Sequence, residues 1–494
     1  MSTTLLRGGR IHTPSTMDAT AMLIRDGVIE WIGSAEPPAD DLVDLNGALV
    51  TPAFVDAHVH STGAGLLRTG LDLTRCASLA ELLDRVRDRA RPGELIWGHG
   101  WDETTWPERR PPTRAELDEA SRGGAVYLSR IDVHSAVITT ALVRPEVRTL
   151  AGWSDTGPVS RAAHHAVRSA FLASITPEQR RAAQREFLRH AASMGVAAVH
   201  ECAGPDISGA DDLADLLALD GDLPEVVAYW GAREAGLPPG ARGLAGDLFV
   251  DGALGSRTAA LCAPYTDAPH TAGALYLRAE QIAGHVVACT RAGIQAGFHV
   301  IGDAAVAAVV DGFAQAAEAV GVDALRAARH RLEHLEMVDA EQAARLGGWG
   351  VVGSVQPLFD AAWGGRTGMY AQRLGPDRGS ALNPFAHLAA AGVVLALGSD
   401  CPVTPVDPWG AVRAAVHHRT EGFGLSAPDA FAAHTVGGWY AAGLDGGRLE
   451  VGAPATYAVW DAGRFPLLDT SDAPLPVCLR TVRAGRTIYD RESE

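Results

Sequence analysis

The stretch that decides the fold is Pro52 to His60, PAFVDAHVH. Its middle is a short run of small and β-branched apolar residues, the composition of a buried strand, and it closes on two histidines one residue apart. On a strand, residues i and i+2 share a face, so the imidazoles of His58 and His60 project together and can grip one ion. Outward from this stretch, seven further apolar runs end at GVAAVHE (201), PEVVAYWG (231), GDLFVDGAL (254), IQAGFHVIGD (303), ARHRLEH (334), VVGSVQP (357) and VVLALGSD (400). Amphipathic stretches of helical period lie between several of them, the clearest being AAVAAVVDGFAQAAEAVG over 304–321. Strand, helix, strand at this spacing means a parallel sheet, and eight such units predict an α/β fold closed into a (β/α)8, TIM-like barrel.

The chain ends read differently. LLRGGRIHT, AMLIRDGVIEWIG and ALVTPAF are short strand signals separated by Gly, Asp and Pro, and GRLEVGAPATYAVWDAG and CLRTVRAGRTIYD repeat that texture from about residue 447. Residues 1–50 and 447–494 are therefore expected to combine into one small β-sandwich domain, with the barrel over 51–446. The gap from 61 to 176 is too long for one crossover helix and predicts a large insertion after strand 1, at the barrel mouth. It offers Trp101, Trp106, Arg130 and His134 as pocket residues, although the tryptophans could equally form the insertion's own small core. Arg257, after strand four, is a further pocket candidate.

Composition narrows the function. With 47% hydrophobic and 20% charged residues and a mean hydropathy of +0.04, the chain has the make-up of a globular protein. No segment approaches the roughly 18 uncharged apolar residues of a membrane span, and the N-terminus lacks the apolar stretch of a secretory signal, so a cytoplasmic location is expected. Six cysteines without a CxxC pair predict reduced thiols. A formal net charge of −17 opposes binding to nucleic acid or anionic membranes. The expected partner is a small-molecule substrate, and a homo-oligomer is compatible with the sequence.

Barrel active sites lie at the C-terminal ends of the strands, and five candidate ligands fall at four of the predicted ends: His58 with His60, then His299, His334 and Asp400. Imidazole and carboxylate suit Zn, Mn or Fe and leave room for a water. These residues also carry a resemblance. PAFVDAHVH, FHVIGDAA, HRLEH, VVGSVQP and LGSDCPV resemble the barrel motifs of the amidohydrolase superfamily. DGALGSRTA, with GHGWDETTW, PPTRAELDEA and SRIDVHSAVITTAL in the insertion, resembles the branch that includes N-substituted formamide deformylase.

That resemblance implies that His58 and His60 hold one metal and His299 and His334 a second. Asp400 would bind the first and take a proton from the attacking water. It implies hydrolysis of a nonpeptide C–N bond in an amide, formamide or related compound, with zinc the expected ion, in one or two copies. Glu333 and Asp303 are expected to orient the ligating imidazoles, and His134 to polarise a carbonyl or stabilise an oxyanion. A mononuclear heterocycle deaminase and a non-catalytic scaffold barrel are the competing readings.

One departure matters. The chain contains no lysine, all 42 basic residues being arginine, so the carbamylated lysine that bridges two metals in many members cannot form. Asp247 stands at its position. Being four bonds shorter than a carbamylated lysine, it is expected to fall several Å short unless the backbone shifts. Glu201 and Cys202, at the end of strand two, are the other bridging candidates. Cys401, beside Asp400, is expected to point to the opposite face and pack.

Overall fold

The computed structural model describes every residue except Met1, Ser15, Met17, Glu234, Ala235, Leu467, Asp469 and Glu494. Its centre is an eight-stranded parallel sheet: β1 Phe54–Val59, β2 Val196–Ala203, β3 Glu225–Trp230, β4 Ala241–Leu244, β5 Gln295–Val300, β6 Arg331–His334, β7 Val352–Val355 and β8 Val394–Leu397. Consecutive strands pair in parallel all the way from β1 to β8. The last strand meets the first at the mouth, where the Asp400 N–H donates to the His58 carbonyl (2.8 Å) and the His60 N–H to that of Cys401 (2.9 Å). Gly398 allows this approach, because a Cβ there would lie 2.6 Å from the His58 nitrogen. The protein is a (β/α)8 barrel. Its helical crossovers follow the sequence pattern, the alanine-rich helix running Asp303–Val320. Strand four differs from expectation. It is the short ARGL upstream, and GDLFVDGAL belongs to the loop that follows it.

Outward side chains of the strands, such as Phe298 and Leu332, join the apolar core beneath the helices. The inside of the barrel is polar. Arg331 lies there fully buried, donating to Glu333 at 2.6 and 2.9 Å and to the Ala57 carbonyl at 2.7 Å, with His200 Nδ1 3.0 Å away and the Tyr229 ring beneath it. A buried ion pair is a weak source of net stability, but removing one partner strands the other. Arg331→Met should therefore cost about 3–5 kcal/mol in chemical denaturation. A loss below about 1 kcal/mol, the range of an exposed pair, would mean that Glu333 finds another partner.

Both chain ends form the small β-sandwich domain. One sheet is wholly N-terminal, in the order Val28–Gly33, Ala21–Arg25, Thr3–Arg7, Asp41–Asp44. The other mixes the termini, Leu49–Pro52 pairing antiparallel with Tyr457–Trp460. Between them lie Leu6, Ile24, Ile29, Val50, Tyr457 and Val482. Trp460 keys the sandwich to the barrel: its indole N–H donates to Thr51 Oγ1 (2.9 Å), and its ring fills the space where a Cβ on Gly195 would lie.

Residues 61–176 follow β1 and precede the helix Pro177–Ser193, which is started by a Thr176 capping box and leads into β2. They build a five-stranded sheet of their own, with Ile96–Trp101 and Val126–Arg130 at its centre. Trp101 and Trp106 pack in the core of this insertion with Leu82, Val86, Leu117 and Leu128. Their N–H groups are spent on the Leu128 and Cys76 carbonyls at 3.0 and 2.8 Å, so they are core residues, not pocket residues. Arg130 is likewise spent, on Asp102, Glu103 and Asp132 at 2.9–3.0 Å. Glu103 also binds Arg373 at 2.8 Å, which ties the insertion to the barrel loops. No single helix among the described residues is long and apolar enough to cross a membrane.

Candidate metal centre

The structure brings His58, His60, His299, His334, Asp400 and Asp247 together at the C-terminal mouth of the barrel. Each arrives for a local reason. His58 and His60 share a face at the end of β1, with ring centroids 5.2 Å apart. His299 alternates inward from Phe298 on β5. His334 ends β6 with a φ of +70°, which breaks the strand's alternation, and its ring faces those of His299 (4.5 Å) and His58 (5.0 Å). Asp400 follows β8 with a φ of +53°.

Asp247 does not fall short. Its Oδ1 lies 3.4 Å from His58 Nε2 and 4.0 Å from His334 Nε2, and its Oδ2 lies 3.3 Å from His60 Nε2. The backbone supplies the missing length. Just beyond the short β4, Gly246 adopts a φ of +80°, and Gly231 sits so close that a Cβ on it would be 2.6 Å from the Asp247 carbonyl oxygen. The loop is thus drawn in over the mouth.

The donor set fits a divalent cation. Two ligands each about 2.1 Å from a tetrahedral ion stand about 3.4 Å apart. The four pairs that His58 Nε2 and His60 Nε2 make with Asp247 and Asp400 measure 3.2–3.5 Å. His58 Nε2, Asp247 Oδ1, Asp400 Oδ1 and both His299 nitrogens are buried without a hydrogen-bond partner, an expensive state unless something else satisfies them. The charges say the same. Burial should lower the His60 pKa, yet its bonds to Asp247 and Asp400 raise it to about 9. Burial should raise Asp247, yet the charge of His58 and the bond to His60 hold it well below the usual carboxylate value. The carboxylates are strong enough to gather positive charge in this cleft.

A second layer orients the rings. His58 Nδ1 meets Glu333 at 2.9 Å and His334 Nδ1 meets Gln356 Oε1 at 2.8 Å, which turns each Nε2 lone pair toward the cluster. For His299 the neighbour is Asp251, 3.7 Å from Nδ1. Asp303, the residue expected in that role, faces away and accepts the N–H groups of Cys262 and Ala304. Cys202 touches His58 from the Nδ1 side at 3.4 Å, behind the ring, and burial pushes its thiol pKa up to about 12. Glu201 accepts the Ser61 N–H at 2.8 Å. Cys202 thus groups with Glu333 on the Nδ1 side of His58, while Asp247 faces the Nε2 side. Cys401 is buried.

Two cavities meet at the cluster. The larger lies under the insertion, with His60, Asp247, Trp97, Tyr127, Phe171 and Phe249 among its lining residues. The smaller lies beside His299, His334 and Asp400 and is walled by Phe359, Trp363, Met369 and Tyr370. His134 lines both, its ring 5.1 Å from that of His299. Burial and the neighbouring His299 hold its pKa well below the usual value, so it is neutral. Arg257 is paired with Asp267 at 2.7–3.0 Å and is absent from both walls. His99, unnoticed in the sequence, is pinned by Ser129 Oγ (2.7 Å) and the Pro402 carbonyl (3.0 Å).

The sequence profile of the amidohydrolase family matches residues 41–489. The chain belongs to the amidohydrolase family. It is 26% identical to the putative amidohydrolase YtcJ of Bacillus subtilis over 98% of this chain and 99% of that protein. It is 24% identical to the N-substituted formamide deformylase of Arthrobacter pascens over 96% and 95%. In structure it resembles an uncharacterized metal-dependent hydrolase from Pyrococcus horikoshii, with a TM-score of 0.73 and 27% identity over 93% of this chain and 98% of that one.

Proposed function

We propose that this amidohydrolase cleaves a nonpeptide C–N bond in an amide, formamide or related small molecule, using one or two divalent ions, zinc foremost. One observation carries the reading: His58, His60, Asp247, His334 and Asp400 meet at ligand spacing, with the His299 ring packed against that of His334 and with orphaned buried atoms, where two cavities join. An amide spanning that junction would lie with its carbonyl over the cluster and one substituent in each cavity. His58, His60, Asp247 and Asp400 would hold one ion, with His299 and His334 beside Asp247 for a second. When bound, such an ion supplies Lewis acidity that polarises a carbonyl and makes water more acidic.

The remaining work falls to the chain. Water adds to the carbonyl carbon, the C–N bond breaks, and acid and amine leave. Asp400 takes the proton from the water and passes it to the departing nitrogen. His134, neutral and between the cavities, donates a hydrogen bond to the oxygen that becomes negative. Glu333 and Gln356 keep the His58 and His334 rings in the required orientation.

The test is to reconstitute the protein with Zn or Mn and screen N-formyl and N-acyl amines alongside heterocyclic amines. Acid and amine should appear in equal amounts, disappear with chelation and return with metal. Ammonia released from a ring would move the protein to deamination. Failure of the reconstituted protein to retain any ion would refute the reading.

A further inference from the structure

The larger cavity contains a cation that no carboxylate of the described residues pairs with directly, Asp247 and Asp206 acting on it only from farther away. The helix Arg161–Leu172 closes the insertion, and its residues His165, Arg168 and Leu172, spaced by three and four, line that cavity together with Phe171. Arg168 is half-buried. One of its amino groups donates to the backbone carbonyl of Asp206, while the Asp206 carboxylate stands 3.8 Å from His165 Nδ1 instead. Arg168 Nε is shielded from solvent and has no acceptor. Among the described residues no carboxylate makes an ion pair with this guanidinium. Around it the walls are Trp97, Tyr127 and Phe249, and the histidines near it are neutral, burial first and the charge of Arg168 second lowering His165 to about 4. A guanidinium in such surroundings is costly unless an anion joins it. Its planar fork suits a carboxylate, which two parallel N–H bonds can hold.

We propose that Arg168 binds a carboxylate of the substrate. The preferred amides then carry a small apolar group on one side of the C–N bond, for the cavity at Phe359 and Trp363, and a carboxylate-bearing aromatic or aliphatic group on the other. This inference rests on the hydrolytic reading of the site for the position of the amide, but the anion site itself is tested by binding.

The experiment uses zinc-reconstituted full-length protein and three probes: 4-acetamidobenzoate, its methyl ester, and the matching phosphonate, with affinity read by calorimetry. The carboxylate should bind about 10- to 100-fold more tightly than the ester, the value of charge-assisted hydrogen bonds. Arg168→Met should abolish that preference while ester affinity stays within about threefold and metal content is unchanged. Arg168→Lys should restore part of it. Equal binding of acid and ester by the wild type, equal loss of both in Arg168→Met, tighter binding of the phosphonate, or no binding of any probe would each overturn the assignment. Because affinity is measured without turnover, a carboxylate preference with no C–N cleavage would count against the hydrolytic reading alone.

Discussion

Asp400→Asn is expected to keep the fold and the ion and to lose about 10²- to 10⁴-fold in kcat, the range for removal of a general acid–base group. Asn is the replacement least disturbing to the backbone. Asp400 holds a φ of +53°, a left-handed conformation that Asn tolerates better than most residues. Its N–H bond to the His58 carbonyl, part of the seam that closes the barrel, does not involve the side chain. The amide oxygen can still face His58 and His60, but it cannot accept a proton from water and return it to nitrogen. Metal analysis and a denaturation curve should therefore match the wild type while turnover collapses. Wild-type turnover in the variant would assign proton transfer elsewhere, and loss of the ion would show that the carboxylate charge is needed chiefly for binding.

The parts of this site that could be read in the sequence are those set by strand periodicity. His58 and His60 are one residue apart on a buried strand, and His299, His334 and Asp400 fall at later strand ends, so one topological rule gathers all five. What depends on departures from periodicity was hidden. In GHGW, Gly100 is an extra residue with a φ of +104°, opposite a register shift between Ser129 and Arg130. That bulge sends Trp101 into the insertion's core, while Trp97 and His99 line the cavity. The reach of Asp247 depends on Gly231 and Gly246, whose roles no local pattern announces. Asp303, next to a catalytic-looking motif, is spent on the N–H groups of Cys262 and Ala304, and Asp251 stands by His299 because the chain folds back after β4. Arg168 belongs to an insertion helix, and only tertiary packing brings that helix over the barrel mouth.

Asp247→Ala should release at least one ion and reduce activity by orders of magnitude. Asp247 Oδ1 lies 3.4 Å from His58 Nε2 and 4.0 Å from His334 Nε2 and its Oδ2 3.3 Å from His60 Nε2, so one carboxylate reaches the histidines of both halves of the cluster. Without it, the remaining acidic partner of His58 Nε2 and His60 Nε2 is Asp400. Cys202→Ala and Glu201→Ala make the contrast. The first removes a thiol behind His58 and the second a carboxylate bound to the Ser61 N–H, so each should shift stability by about 0.5–3 kcal/mol and leave the metal content intact. Bicarbonate during reconstitution should change nothing in any of these proteins, since a carbamate requires a neutral side-chain amine and all 42 basic residues are arginine. Full metal content in Asp247→Ala would show that the aspartate is a bystander. The site would then reduce to one ion held by His58, His60 and Asp400, and the orphaned His299 would be free to bind substrate.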